Sequence, residues 1–131
     1  MKRMMMAVIG VAAMLVVAAG PASAALPIPA HPAPAGALIR YDFTADQLLN
    51  DITYYGRDGK LVERNNVRFV PAVISFGALP KFNYTVMFRA ATNQKAGSRL
   101  DAHGAWAHCQ LQIRDRTVSA VTSPAAGFAV C

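Results

Sequence analysis

The chain is poor in acids, in cysteine and in tryptophan: seven Asp and Glu stand against thirteen Lys and Arg, with two cysteines and one tryptophan among 131 residues. It shows no paired carboxylates placed for general acid–base work, and no Gly-rich phosphate loop or calcium loop. No run of five or six like charges occurs, and nothing resembles a nucleic-acid module. His103, His108 and Cys109 fit no closed four-ligand zinc spacing, since the fourth ligand would have to be Cys131 or water. No internal repeat is present, and the one helix candidate, Thr44 to Leu49 behind a Thr or Asp cap, is too short to set the class. These absences predict a chain with no metal, no cofactor, no nucleic-acid partner and no catalytic set.

What is present begins at the first residues. Lys2 and Arg3 give a positive start, Met4 to Ala19 is apolar and uncharged, Gly20-Pro21 breaks the run, and Ala22-Ser23-Ala24 supplies a small-x-small cleavage site. That is the three-part layout of a secretory signal peptide over residues 1–24. The rival reading is an uncleaved membrane anchor. The apolar run reaches only ~24 Å as a helix against a ~30 Å hydrocarbon core, although Gly20 to Leu26 would lengthen it. Either way the expected location is secreted or envelope-associated, on the periplasmic side. Removing the leader leaves 107 residues, one small domain. The mature part keeps eleven Lys and Arg against seven acids, spread along the chain, which reads as an ordinary soluble surface or as one that lies near anionic lipid or polymer.

Two cysteines in an oxidising compartment read as a Cys109–Cys131 disulfide. Closing that loop would stabilise the domain by about 3 kcal/mol on the chain-entropy account. The rival is a thiol nucleophile at Cys109 with His108 or His103 as base, but neighbours in a strand point to opposite faces.

Residues 25–37 carry Pro27, Pro29, Pro32 and Pro34 and read as an extended spacer. The domain is expected over residues 38–131. Leu38 to Thr44 alternates, with Ile39, Tyr41 and Phe43 on one face. Asp51 to Tyr55 and Lys60 to Arg64 flank an Asp58-Gly59 hairpin turn. Val67 to Phe76 contains Pro71 and reads as an edge strand or a bulge. Asn83 to Thr92 reads as the clearest core strand, Gln94 to Gly104 as a polar loop, and Ala105 to Ile113 as a strand with Cys109, Leu111 and Ile113 inward. Thr117 to Thr122 and Phe128 to Cys131 complete about seven strands with a turn every 8–12 residues. This is the signature of an all-β, small antiparallel β-sandwich of immunoglobulin-like type.

Triad residue types occur at Ser98, Asp101 and His103, in what reads as a solvated loop. Asn83-Tyr84-Thr85 matches a glycosylation sequon. Trp106, Phe82 and Tyr55 are the candidate binding surface, with core packing as the alternative use of such aromatics.

Ile39-x-Tyr41-x-Phe43-Thr44, Asp51-Ile52-Thr53-Tyr54, Asp58-x-x-x-x-Glu63, Cys109-x-Leu111-x-Ile113 and Cys131 together resemble the MmpS-type mycobacterial membrane proteins, small envelope partners of MmpL transporters. The resemblance spans Leu38 to Cys131. It departs from the family at Pro71-Ala72, where a Pro-Trp pair is usual, and at Asp115-Arg116, where an Asp-Gly turn is usual. It implies a disulfide-pinned β-sandwich of the actinobacterial envelope. It also implies a non-enzymatic role assisting lipid or lipopeptide export, with an RND-type lipid transporter or an envelope lipid as partner. The rival functions are a freely secreted interaction protein and, less favoured, a small hydrolase built around Asp101 and His103.

Overall fold

A computed structural model describes residues 27–72 and 80–131; the expected leader and part of the Val67–Phe76 segment lie outside these residues. The described chain is all β. In order its strands are β1 His31–Ala33, β2 Leu38–Ala45, β3 Leu49–Tyr55, β4 Leu61–Arg68, β5 Val70–Pro71, β6 Phe82–Arg89, β7 Gln94–Ala96, β8 Ser98–Ala102, β9 Ala107–Ile113, β10 Arg116–Ser123 and β11 Phe128–Val130. They form a five-stranded sheet in the order β10-β9-β2-β6-β5, a four-stranded sheet in the order β11-β8-β3-β4, and a β1-β7 ribbon. Every pairing is antiparallel.

Period-2 alternation explains why these segments pair as they do. In β2, Ile39, Tyr41 and Phe43 are fully buried between the sheets while Arg40 faces water. β9 contributes Cys109, Leu111 and Ile113 to the same core, β3 contributes Ile52 and Tyr54, and β8 contributes Leu100. Each fully buried Ile, Leu or Phe adds about 1.5–3 kcal/mol of apolar transfer. Tyr41 fixes the two sheets to each other. Its ring lies 5.4 Å from that of Tyr54, its hydroxyl donates to the Tyr55 carbonyl at 2.7 Å, and it accepts from the Gly97 N–H at 3.2 Å. Burial pushes its phenol well above the ordinary value of 10.0. The Cys109–Cys131 disulfide is a second tie, joining β9 to the residue after β11 with 6.1 Å between the Cα atoms.

The Asp58-Gly59 hairpin forms between β3 and β4, with Gly59 at φ 82° and the Lys60 N–H held by the Asp58 carboxylate at 3.1 Å. Pro71 sits in β5, the short outer strand of the five-stranded sheet, as its missing donor requires.

Four expectations are corrected. The helix candidate at Thr44 to Leu49 is instead the end of β2, a bend and the start of β3, because Thr44 and Ala45 continue the β2 pairing with His108 and Ala107. The expected loop Gln94 to Gly104 contains β7 and β8. Ser98 and Leu100 face the core there, while Arg99 and Asp101 face out. The proline-rich segment packs on the domain: Ala33 is buried, and His31 and Ala33 pair with Ala96 and Gln94. Strands therefore number eleven among the described residues, where about seven were expected.

Both long outer strands carry a bulge. In β10, Val118 is an extra residue between Thr117, opposite Gln112, and Ser119, opposite Leu111. In β4, Asn65-Asn66 oppose the single residue Asp51. There Asn66 takes φ 54° and its N–H is held by the Asp51 carboxylate at 2.8 Å.

Candidate functional site

The outer face of the five-stranded sheet is built from the residues that alternate away from the core. Register places Asp42 between Thr85 and Gln110, and Thr44 between Asn83 and His108. Polar side chains join these rows. Thr85 donates to Asp42 at 2.6 Å, Arg40 pairs with Asp42 at 2.9 Å, and Gln110 donates to Thr117 at 3.2 Å. His108 Nδ1 lies 2.7 Å from the Thr122 hydroxyl, and burial holds its imidazole below the ordinary 6.5.

Trp106 closes one corner of this face. Its ring stacks on His108 with centroids 6.2 Å apart, and the Lys81 ammonium lies 4.9 Å from its centre. Lys81 is itself only 6% exposed, so the indole is held firmly in place.

The three aromatics singled out from the sequence do not share one surface. Phe82 lies opposite Ala45, whose other partner is Ala107, and turns inward to pack against the core, away from Trp106. Tyr55 stands on the other sheet at the far end. There the Lys95 ammonium is 5.9 Å from its ring, and an open cleft of about 540 Å3 runs between the Asp58-Gly59 turn, Asn93 and Gln94.

The triad types are also dispersed. Ser98 is fully buried on the inner face, Asp101 is clamped by Arg99 at 2.8 Å, and His103 pairs with Asp51 at 3.2 Å. Cys109 is committed to the disulfide, so it is neither a thiol nucleophile nor a metal ligand in this structure. Among the described residues no group of three or more His, Cys, Asp or Glu could hold a metal ion. In the sequon, Asn83 lies in β6 between β2 and β5, and the Thr85 hydroxyl is taken by Asp42.

Charge is distributed differently from its spread along the chain. The turns at 35–37, 56–60, 90–93 and 114–115 are joined at one end of the sandwich. Their links are the bonds from Gly36 N–H to Ala90, Ala91 N–H to Arg57, and Arg114 N–H to Leu38. Arg57, Lys60, Arg89, Lys95, Arg114 and Arg116 are all exposed at this Gly59 end, with only Asp58 and Asp115 as acids in the same turns. The opposite end carries Asp46, Asp51 and Asp101 with Arg68, Lys81 and His103. Sequence order could not reveal this, because the six cations lie in or beside three separate turns. No protein-family profile, curated protein or solved structure matches the chain.

Proposed function

We propose that this chain is an extracytoplasmic, non-enzymatic domain of the cell envelope that acts by contact, assisting lipid or lipopeptide export beside a membrane transporter. The observation that carries the contact reading is the outer face of the five-stranded sheet. It is an array of mutually bonded polar side chains, from Thr85 through Asp42 and from Gln110 to Thr117, with Trp106 clamped at its corner. Side chains already fixed in place lose little entropy when a partner arrives, which favours specific contact. The disulfide supports the oxidising compartment that the leader implies.

The test is photocrosslinking in native cells from a reporter at Gln110, with one at Thr53 on the opposite sheet as control, together with the surface-lipid profile of a deletion strain. Expected are an adduct at Gln110 to a multi-spanning membrane protein, and a lipid defect repaired by the wild-type gene but not by Trp106→Ala. Full export in the deletion strain, with the protein free in the medium, would replace this reading with that of a freely secreted interaction protein.

A further inference from the structure

We propose that the Gly59 end of the sandwich is a docking face for an anionic lipid bilayer. Six cations in or beside three turns converge there, all exposed, and none of them belongs to an ion pair among the described residues. Arg89 is oriented by a 3.1 Å bond to the Gly36 carbonyl, and Lys95 by the Tyr55 ring. The guanidinium fork suits phosphate oxygens, and a cluster of this size is what an anionic leaflet attracts.

Charge alone would fit any polyanion; one further feature selects a bilayer. Tyr55 and Leu61 are direct cross-strand partners at this end, and Leu61 is 55% exposed. An amphipathic tyrosine beside a bare leucine, with Lys95 against its ring and Lys60 next to Leu61 in the chain, matches the chemistry of a headgroup boundary. The chain also enters the fold here. Pro29 runs so close to Gly97 that a Cβ could not be accommodated, and the Gly97 carbonyl accepts from the Tyr55 N–H at 3.1 Å. The first described residues, 27–30, thus reach the domain on its basic side. The inference rests on the envelope setting proposed above but needs no transporter, so a vesicle experiment separates its failure from that of the partner reading.

The experiment uses the full chain with an environment-sensitive dye at Leu61→Cys, or at Ala125→Cys in a turn of the opposite end. The probes are phosphatidylglycerol/phosphatidylcholine vesicles and pure phosphatidylcholine vesicles. Expected is a blue shift at position 61 alone, on anionic vesicles alone, that fades at about 0.5 M salt as charges are screened. Each surface cation is worth about fivefold in partitioning, so Arg89→Gln/Arg114→Asn/Arg116→Gln lowers it about a hundredfold. Arg64→Ser/Arg68→Glu removes the same net charge elsewhere and leaves partitioning within about fivefold of wild type. Shifts at both positions or at neither, equal binding to neutral vesicles, or an equal loss in the two variants would overturn the proposal. So would binding of soluble polyphosphate with position 61 unshifted on vesicles, which would point to a polymer ligand.

Discussion

Tyr41→Phe tests how the two sheets are held together. The substitution keeps the ring and its contacts with Tyr54, Phe43 and Phe88, at centroid distances of 5.4, 6.3 and 6.0 Å. It removes only the oxygen that bonds the Tyr55 carbonyl and the Gly97 N–H, in a residue with no exposed surface. Leaving a buried partner unpaired costs about 1–3 kcal/mol, and the Tyr55 carbonyl is only part-buried, so we expect a loss of about 2–4 kcal/mol. A domain of this size has about 5–10 kcal/mol in total. In urea, with the disulfide intact, the midpoint should fall by about 2 M at unchanged slope. Tyr84→Phe removes a bond of similar length to Arg64, but an exposed one, and should cost less than about 0.5 kcal/mol. A second signature comes from ionisation. The folded phenol titrates above its ordinary value of 10.0, so the unfolded chain loses its proton first. Wild-type stability therefore declines as pH rises past 10, and the Phe variant should lose less over that range. A Tyr41→Phe protein within about 0.5 kcal/mol of wild type would refute the argument that this hydroxyl ties the sheets.

Two other outcomes follow from local geometry. Gly97→Ala drives a Cβ into the Pro29 backbone, so it should cost more than about 2 kcal/mol and speed hydrogen exchange through the β1-β7 ribbon while β2 and β9 stay protected. His108 is held neutral chiefly by burial; its folded pKa lies below 6.5 and the unfolded chain takes up the proton first. The His108 contribution to stability should thus be steady above pH 6.5 and be lost as pH drops below it. His108→Gln should flatten that dependence, and an unchanged slope in chemical denaturation would remove His108 from the account.

Strands with a strict two-residue period were legible from the sequence: Ile39-Tyr41-Phe43 and Cys109-Leu111-Ile113 show the same faces in the fold as in the chain. β8 was missed, although Arg99 and Asp101 alternate with Leu100, because Gly97 on one side and Gly104 on the other give the stretch the composition of a loop. β1 was missed because prolines mark an inability to donate, and this two-stranded ribbon can tolerate that on one strand. Asn83 to Thr92 read as the clearest core strand, yet Tyr84, Val86 and Phe88 are only half-buried: β6 adjoins the two-residue β5, so among the described residues little covers it on that side. The candidate surface was the least legible part. Whether Trp106 and Phe82 share a face depends on a one-residue offset in strand register, and whether six scattered cations form a patch depends on which turns meet.

The two bulges bear on how this protein behaves in a crowd of its own copies. Residues 117–123 are β-prone, uncharged and free of proline, the composition of a segment that templates fibrils, and they form the outermost strand of a five-stranded sheet. What stands in the way of stacking is shape. The extra Val118 breaks the straight ladder a neighbour would need, as Asn65-Asn66 does on the other sheet. Protection of that kind is not screened by ions. Copies gathered on a charged surface, where repulsion between molecules is weakest, would still find no straight ladder along β10 or β4 on which to polymerise.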